Sequence, residues 1–325
     1  MKLPTFDDVR EAAGRIAVHA VRTPLIESPA LTSRVGARVL FKVETLQRVG
    51  AFKFRGAYNR ISRTDREQFP GGVVASSSGN HAQGVAEAAR LLDLDALVVM
   101  PRDAPRIKIE RTKAMGAKVV LYDREKEDRE GITRKYASDR QADLIHPFDD
   151  PWIIAGQGTA GLELIEDAAK LGVTIDHVLV PVSGGGLATG VALAVKALSP
   201  STKVHPVEPA GFDDMKRSLA SGSVQHNTKM SGSICDALMQ PHPGEITFPL
   251  ARTLLSEGLS ATDDEVRAAI RVAFETLKLV VEPGGVIGLA ALLSGALPVE
   301  GKTFCVILSG GNIDPVQFAE ILIDE

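Results

Sequence analysis

Short β-branched runs alternate with helix-patterned stretches along almost the whole chain, and most runs end in Gly, Ser or Pro before a helix begins. That rhythm argues for largely parallel strands joined by crossover helices. The expected fold class is therefore α/β, with open, twisted, mostly parallel sheets flanked by helices. The strand readings are 39–43, 73–75, 96–100, 118–121, 177–182, 203–207 and 303–308. Helices are predicted over 6–17, 81–92, 105–115, 160–171, 187–197, 263–277 and 285–293. Thr262 ahead of Asp263-Asp264-Glu265 marks a helix start: a capping hydroxyl is followed by acids that suit the positive end of the helix dipole.

At 325 residues the chain exceeds one average domain, which suggests two. A net charge of −4 argues against nucleic acid or an anionic membrane surface as a partner. Cys235 and Cys305, far apart in sequence, supply neither a disulfide framework nor zinc spacing. The first residues lack the apolar core of a secretion signal and no run is apolar enough to span a bilayer, so a cytoplasmic location is expected. The charge run 123–130 reads as a solvated loop and helix entry.

Four stretches carry chemistry. Lys53 lies between Phe52 and Phe54, where an ammonium loses hydration; a lysine with a lowered pKa can attack an aldehyde and form a Schiff base. A lysine stem crossing apolar surface towards water is the plainer alternative. Residues 180–190 run from a strand through Ser183-Gly184-Gly185-Gly186 into a helix at Leu187, so successive N–H groups and the helix dipole can hold a phosphate. No Lys-Ser or Lys-Thr follows, as a Walker loop needs, and Gly184, Gly186 and Gly190 miss dinucleotide spacing by one residue.

Residues 75–84 repeat this geometry with polar side chains. Ser77 and the loop N–H groups suit a carboxylate, Asn80 can donate to a phenolate-like oxygen, and Ser78 can exchange a proton. His81 adjoins them, and alone would read as a satisfied helix residue. Ser309, at the end of the 303–308 strand, can hydrogen-bond a neutral ring nitrogen without protonating it. In isolation a polar helix cap and a Gly-rich turn account for these two stretches.

Amine, phosphate nest, ring-oxygen donor and ring-nitrogen hydroxyl are together the parts that pyridoxal 5'-phosphate requires. The chain resembles fold-type II pyridoxal-phosphate enzymes, which are tryptophan synthase β-like, and within them the threonine/serine dehydratase and serine racemase group. The resemblance runs from Arg22-Thr23-Pro24-Leu25 through Glu44-Thr45-Leu46-Gln47 and Ile154-Ala155-Gly156-Gln157-Gly158-Thr159 to Ser309-Gly310-Gly311-Asn312. It departs from the group at Ala51, usually serine, and at Ser183, usually glycine. Ala51-Phe52-Lys53-Phe54 is similar to a variant found in some serine racemases and 3-hydroxyaspartate dehydratases.

The resemblance implies β-elimination of L-threonine or L-serine to a 2-oxo acid and ammonia. Lys53 would take the Cα proton and Ser78 would act on the opposite face, where it could support racemisation. Serine racemase or 3-hydroxyaspartate dehydratase is the alternative, and a cofactor-binding protein without catalysis is the third reading. Arg129 reads first as a surface arginine, yet serine racemases place an arginine there near a substrate-like dicarboxylate. The group's metal-dependent members further imply Mg²⁺, Mn²⁺ or Ca²⁺ at Glu208, the Phe212 carbonyl and Asp214, where a plain acidic turn is the alternative. A homodimer is implied, with a large cofactor domain (1–70 and 147–325) and a small domain (71–146) closing over the substrate. The chain ends soon after Ser309, so the C-terminal regulatory domain of long biosynthetic threonine dehydratases is not expected.

Overall fold

The computed structural model describes residues 2–77, 79–104, 106–123 and 125–323. Ten strands are present among them: β1 (Leu25–Glu27), β2 (Arg38–Val43), β3 (Val73–Ser76), β4 (Ala96–Pro101), β5 (Lys118–Tyr122), β6 (Asp143–Ile145), β7 (His177–Pro181), β8 (Lys203–Pro209), β9 (Leu259–Ala261) and β10 (Thr303–Leu308). They form a six-stranded sheet of order β1-β2-β10-β7-β8-β9 and a four-stranded sheet of order β5-β4-β3-β6. Every pairing is parallel except β1 with β2. The four-stranded sheet draws all its strands from one continuous stretch, and the other sheet draws its strands from both sides of that stretch.

The central strands are buried on both faces, as parallel sheets require: Val39, Leu40 and Phe41 of β2 and Phe304 to Leu308 of β10 are fully buried. Cys305 pairs with Leu40 on one side and Val178 on the other, which sets the register of the three inner strands. The polar turns that follow β3, β7, β8 and β10 all leave the carboxyl ends of parallel strands, where open α/β sheets place ligands.

The helix predicted from residue 160 begins at Pro151 and runs to Lys170. Asp150 caps it by accepting from the N–H groups of Trp152 (2.7 Å) and Ile153 (3.0 Å), and Pro151 suits the first helical position. Gly156, Gly158 and Gly161 lower its local propensity but let other backbone approach: a Cβ on Gly158 would lie 2.6 Å from the Gly190 carbonyl. That contact seats the helix Gly186–Leu198 and hence the glycine turn at its start. Thr262 caps the helix Asp263–Val272 in a full capping box with Glu265, as expected, and the predicted helix finishes as a π-turn over Ala273–Leu277.

One buried cluster is ionic. Arg55, Glu44 and Lys42 have no exposed side-chain surface, and Arg55 Nε donates to Glu44 (2.8 Å) while its Nη1 donates to Glu163 (2.8 Å). Lys42 Nζ donates to Glu163 (2.6 Å) and to the Thr23 carbonyl (2.6 Å). Burial opposes the charge of Arg55, but Glu44 and Glu163 more than offset this and hold its guanidinium protonated. Two cations and two carboxylates thus neutralise one another at the root of the helix Lys53–Ile61. Among the described residues no helix is long and apolar enough to cross a membrane.

Candidate active site

The turns after β3, β7 and β10 meet at a cleft of about 1000 Å³, its open mouth included. Lys53 opens the helix Lys53–Ile61 and lines this cleft. Its Nζ donates to the Pro147 carbonyl (2.7 Å) and lies 5.2 Å from the centre of the Phe52 ring. Desolvation lowers its pKa to about 8. The expected flank of two phenylalanines is halved: the helix turns Phe54 away to pack on Tyr58, at 5.6 Å between ring centres.

Gly185, at φ 105°, caps the helix Gly186–Leu198 in a conformation that favours glycine. A Cβ on Gly184 would sit 2.3 Å from the Phe148 ring, and one on Gly186 would sit 2.7 Å from Gln157 Oε1. Both polar atoms of the Gln157 amide and the Ser183 hydroxyl are buried without a hydrogen-bond partner among the described residues. Unpaired donors around a glycine turn at a helix N-terminus fit a phosphate, which the free N–H groups of the first helical turn, Leu187 among them, would help to hold. Gln157 is absent from the residues expected to bind; the sequence signal for it is a polar side chain set among helix glycines.

Asn80 begins the helix Asn80–Leu91. Its Nδ2 donates to Glu282, and its Oδ1 accepts from Asn312 Nδ2 (2.8 Å). Ser77 Oγ accepts from the Gly79 N–H (3.2 Å), and Ser77 lines the cleft. His81 is buried, and desolvation, helped by the nearby Lys53 charge, keeps its imidazole well below its ordinary pKa and so neutral. Ser309 lines the cleft, and its carbonyl accepts from the Phe52 N–H (3.0 Å), tying the turn after β10 to the lysine segment. Ser78 lies outside the described residues.

Glu282, also missed by the sequence reading, carries a buried carboxyl into the cleft, and desolvation raises its pKa to about 7. The cleft's cations differ in commitment. Lys108 pairs with Asp236 at 2.7 Å, whereas Arg129 has only a 3.7 Å approach to Glu130. Expected first at the surface, Arg129 begins the helix Arg129–Arg140 and lines the cleft, with its side chain 38% exposed.

At the end of β8, Glu208 accepts from the N–H groups of Met215 (2.9 Å) and Lys216 (2.8 Å). Burial and the neighbouring Asp214 push its pKa well up. Asp214 accepts from Asn227 Nδ2 (2.6 Å) through Oδ1, while its Oδ2 is buried without a hydrogen-bond partner among the described residues. Two buried carboxylates repelling one another beside an orphaned oxygen fit a hard divalent cation. Only two acidic side chains meet there, and among the described residues no three His, Cys, Asp or Glu cluster as a metal set, so a backbone carbonyl such as that of Phe212 would have to complete the site.

A lysine of lowered pKa calls for an aldehyde and the glycine turn for a phosphate, and pyridoxal phosphate answers both in the manner of fold-type II enzymes. The profile of pyridoxal-phosphate dependent enzymes matches residues 16–310, and the chain belongs to that family. It is 44% identical over 322 residues to an L-threo-3-hydroxyaspartate ammonia-lyase of Pseudomonas sp., covering 99% of each chain. The solved T.th. threonine deaminase is 45% identical at a TM-score of 0.90, covering 96% of this chain and 99% of that one. Maize serine racemase is 39% identical at a TM-score of 0.92, covering 98% and 97%.

Proposed function

We propose that the chain is an ammonia-lyase that eliminates the β-hydroxyl of a dicarboxylic β-hydroxy amino acid of the 3-hydroxyaspartate class, releasing a 2-oxo acid and ammonia. The observation that carries the dicarboxylate is Arg129: among the described cleft residues its guanidinium makes no hydrogen bond and no close ion pair. A second carboxylate suits it by charge and by its paired N–H donors. The ammonia-lyase relative from Pseudomonas sp. supports the same choice.

Bound pyridoxal phosphate supplies an electron sink that weakens the bond between Cα and its hydrogen. Lys53 would hold the cofactor's aldehyde, the turn Ser183-Gly184-Gly185-Gly186 with Leu187 its phosphate, Asn80 its ring oxygen and Ser309 its ring nitrogen, beside Phe52. Desolvation lowers the Lys53 pKa to about 8, which favours the neutral amine that would take the Cα proton at Nζ. His81 and Ser77 would face the substrate carboxylate. Ser78 would return a proton to the other face. The small domain (71–146) would close the cleft and exclude water.

L-threonine and L-serine form the second reading, favoured by the 45% identity to the solved threonine deaminase. One panel of β-hydroxy amino acids, scored for 2-oxo acid and for the enantiomer left behind, separates the readings. Arg129→Met is expected to cut kcat/KM for L-threo-3-hydroxyaspartate by about 30-fold or more, as losing a paired charged contact does, while serine changes by less than about threefold. Equal losses on both substrates would sink the dicarboxylate. Lys53→Ala abolishes turnover of every substrate, and D-serine formation that survives Ser78→Ala removes the two-face picture.

A further inference from the structure

Asn80 is useful to a ring oxygen only if it presents its N–H end, and the two ends of an amide are nearly the same size. What sets that end lies two residues away in the hydrogen-bond network. The Arg111 guanidinium holds only donors, so the Asn312 atom 3.1 Å from it is the carbonyl oxygen. The Val49 carbonyl only accepts, so the Asn312 atom 2.8 Å from it is the amide nitrogen. Partners of opposite polarity fix the Asn312 amide from both sides. Its second N–H then faces Asn80 at 2.8 Å, which must answer with its oxygen and turn its nitrogen to Glu282. One Asn80 N–H is left for the cleft that Asn80 lines.

The same side chain braces the lysine segment. Val49 sits at φ 61°, a left-handed conformation that a β-branched residue rarely adopts. Asn312 holds its carbonyl, and the next carbonyl, Gly50, accepts from the Gly311 N–H (2.9 Å). Lys53 follows within one turn.

We propose that Asn312, oriented by Arg111, is a positioning residue: it fixes Asn80 as a donor towards the cofactor and pins the Val49 turn that delivers Lys53. The proposal rests on the assignment of pyridoxal phosphate to this cleft. Asn312→Asp keeps the shape but turns an acceptor towards both Val49 and Asn80, so Asn80 must reverse. Arg111→Met removes only the donor, from an exposed residue whose replacement should leave folding intact.

The test titrates pyridoxal phosphate into the cofactor-free parent and both variants, following apparent affinity, the visible band and its pH dependence, with the thermal transition measured alongside. Asn312→Asp should bind about tenfold or more weakly with a shifted pH dependence of the band, and Arg111→Met about threefold more weakly at an unchanged melting temperature. Binding within about twofold of the parent and an unaltered band in both variants overturns the proposal. A parent that takes up no cofactor overturns the cofactor assignment and this proposal with it, whereas a parent that binds beside variants that bind equally well overturns this proposal alone. Should Asn312→Asp not fold, Arg111→Met decides by the same criteria.

Discussion

Glu282 holds a buried acid at the cleft, and its proton is therefore coupled to folding. Its carboxyl faces Asn80, Lys108 and Asp236; burial is the main cause that lifts its pKa to about 7, against the partial relief offered by Lys108. Between roughly pH 4.5 and 7 the folded chain binds more protons at this site than the unfolded chain does, so stability falls as pH rises through that window. Glu282→Gln keeps the acceptor for Asn80 and removes the charge. In the cofactor-free protein the variant should match the parent near pH 4.5 and gain on it towards pH 8, by up to about 3 kcal/mol, the free-energy equivalent of the full pKa displacement. Urea midpoints at the two pH values check this, and a constant offset would contradict it.

The helices Pro151–Lys170 and Gly186–Leu198 cross through glycine, and the second of them carries the glycine turn proposed to hold the phosphate. Gly158→Ala adds a methyl 2.6 Å from the Gly190 carbonyl, so the pair must part. The expected cost is about 1–3 kcal/mol in the urea midpoint, as for other overpacked contacts, together with weaker cofactor binding because the turn moves with its helix. Those glycines also explain a helix that the sequence placed nine residues late: local propensity counts them as breaks, whereas close packing requires them. The strands legible in the sequence are mostly inner ones, where burial on both faces writes continuous β-branched runs. β1, β6 and β9 were missed, and each is a three-residue strand at a sheet edge. Lys53 and the glycine turn were legible because their chemistry is local. Glu282, Gln157 and the roles of Asn312 and Arg111 were not, since their partners lie up to 263 residues away in sequence.

Across the whole molecule, the helix Arg106–Ala114 ties the four-stranded unit to the other sheet on one side of the cleft, with Lys108 reaching Asp236 and Arg111 reaching Asn312. The acidic turn after β8 bears on the stability of the entire chain. Glu208 and Asp214 repel one another in a buried setting, so Mg²⁺, Mn²⁺ or Ca²⁺ held by them and the Phe212 carbonyl would stabilise the fold by mass action, about 2.7 kcal/mol at a hundredfold excess over the dissociation constant. The melting temperature should rise by several degrees with one of these ions, fall back on chelation, and lose its response in Asp214→Asn. A flat response for all three ions in the parent would remove the metal.

The ionic cluster of Lys42, Glu44, Arg55 and Glu163 constrains how sequences like this one can diverge. Losing any one member strands a charge in the interior at a cost of about 3–5 kcal/mol, a large part of the stability of an ordinary domain. Neutral drift by single substitutions is therefore closed at these four positions. Descendants that lose the charges must lose oppositely charged members together, and a chain carrying only half of such an exchange would mark an unfinished evolutionary step.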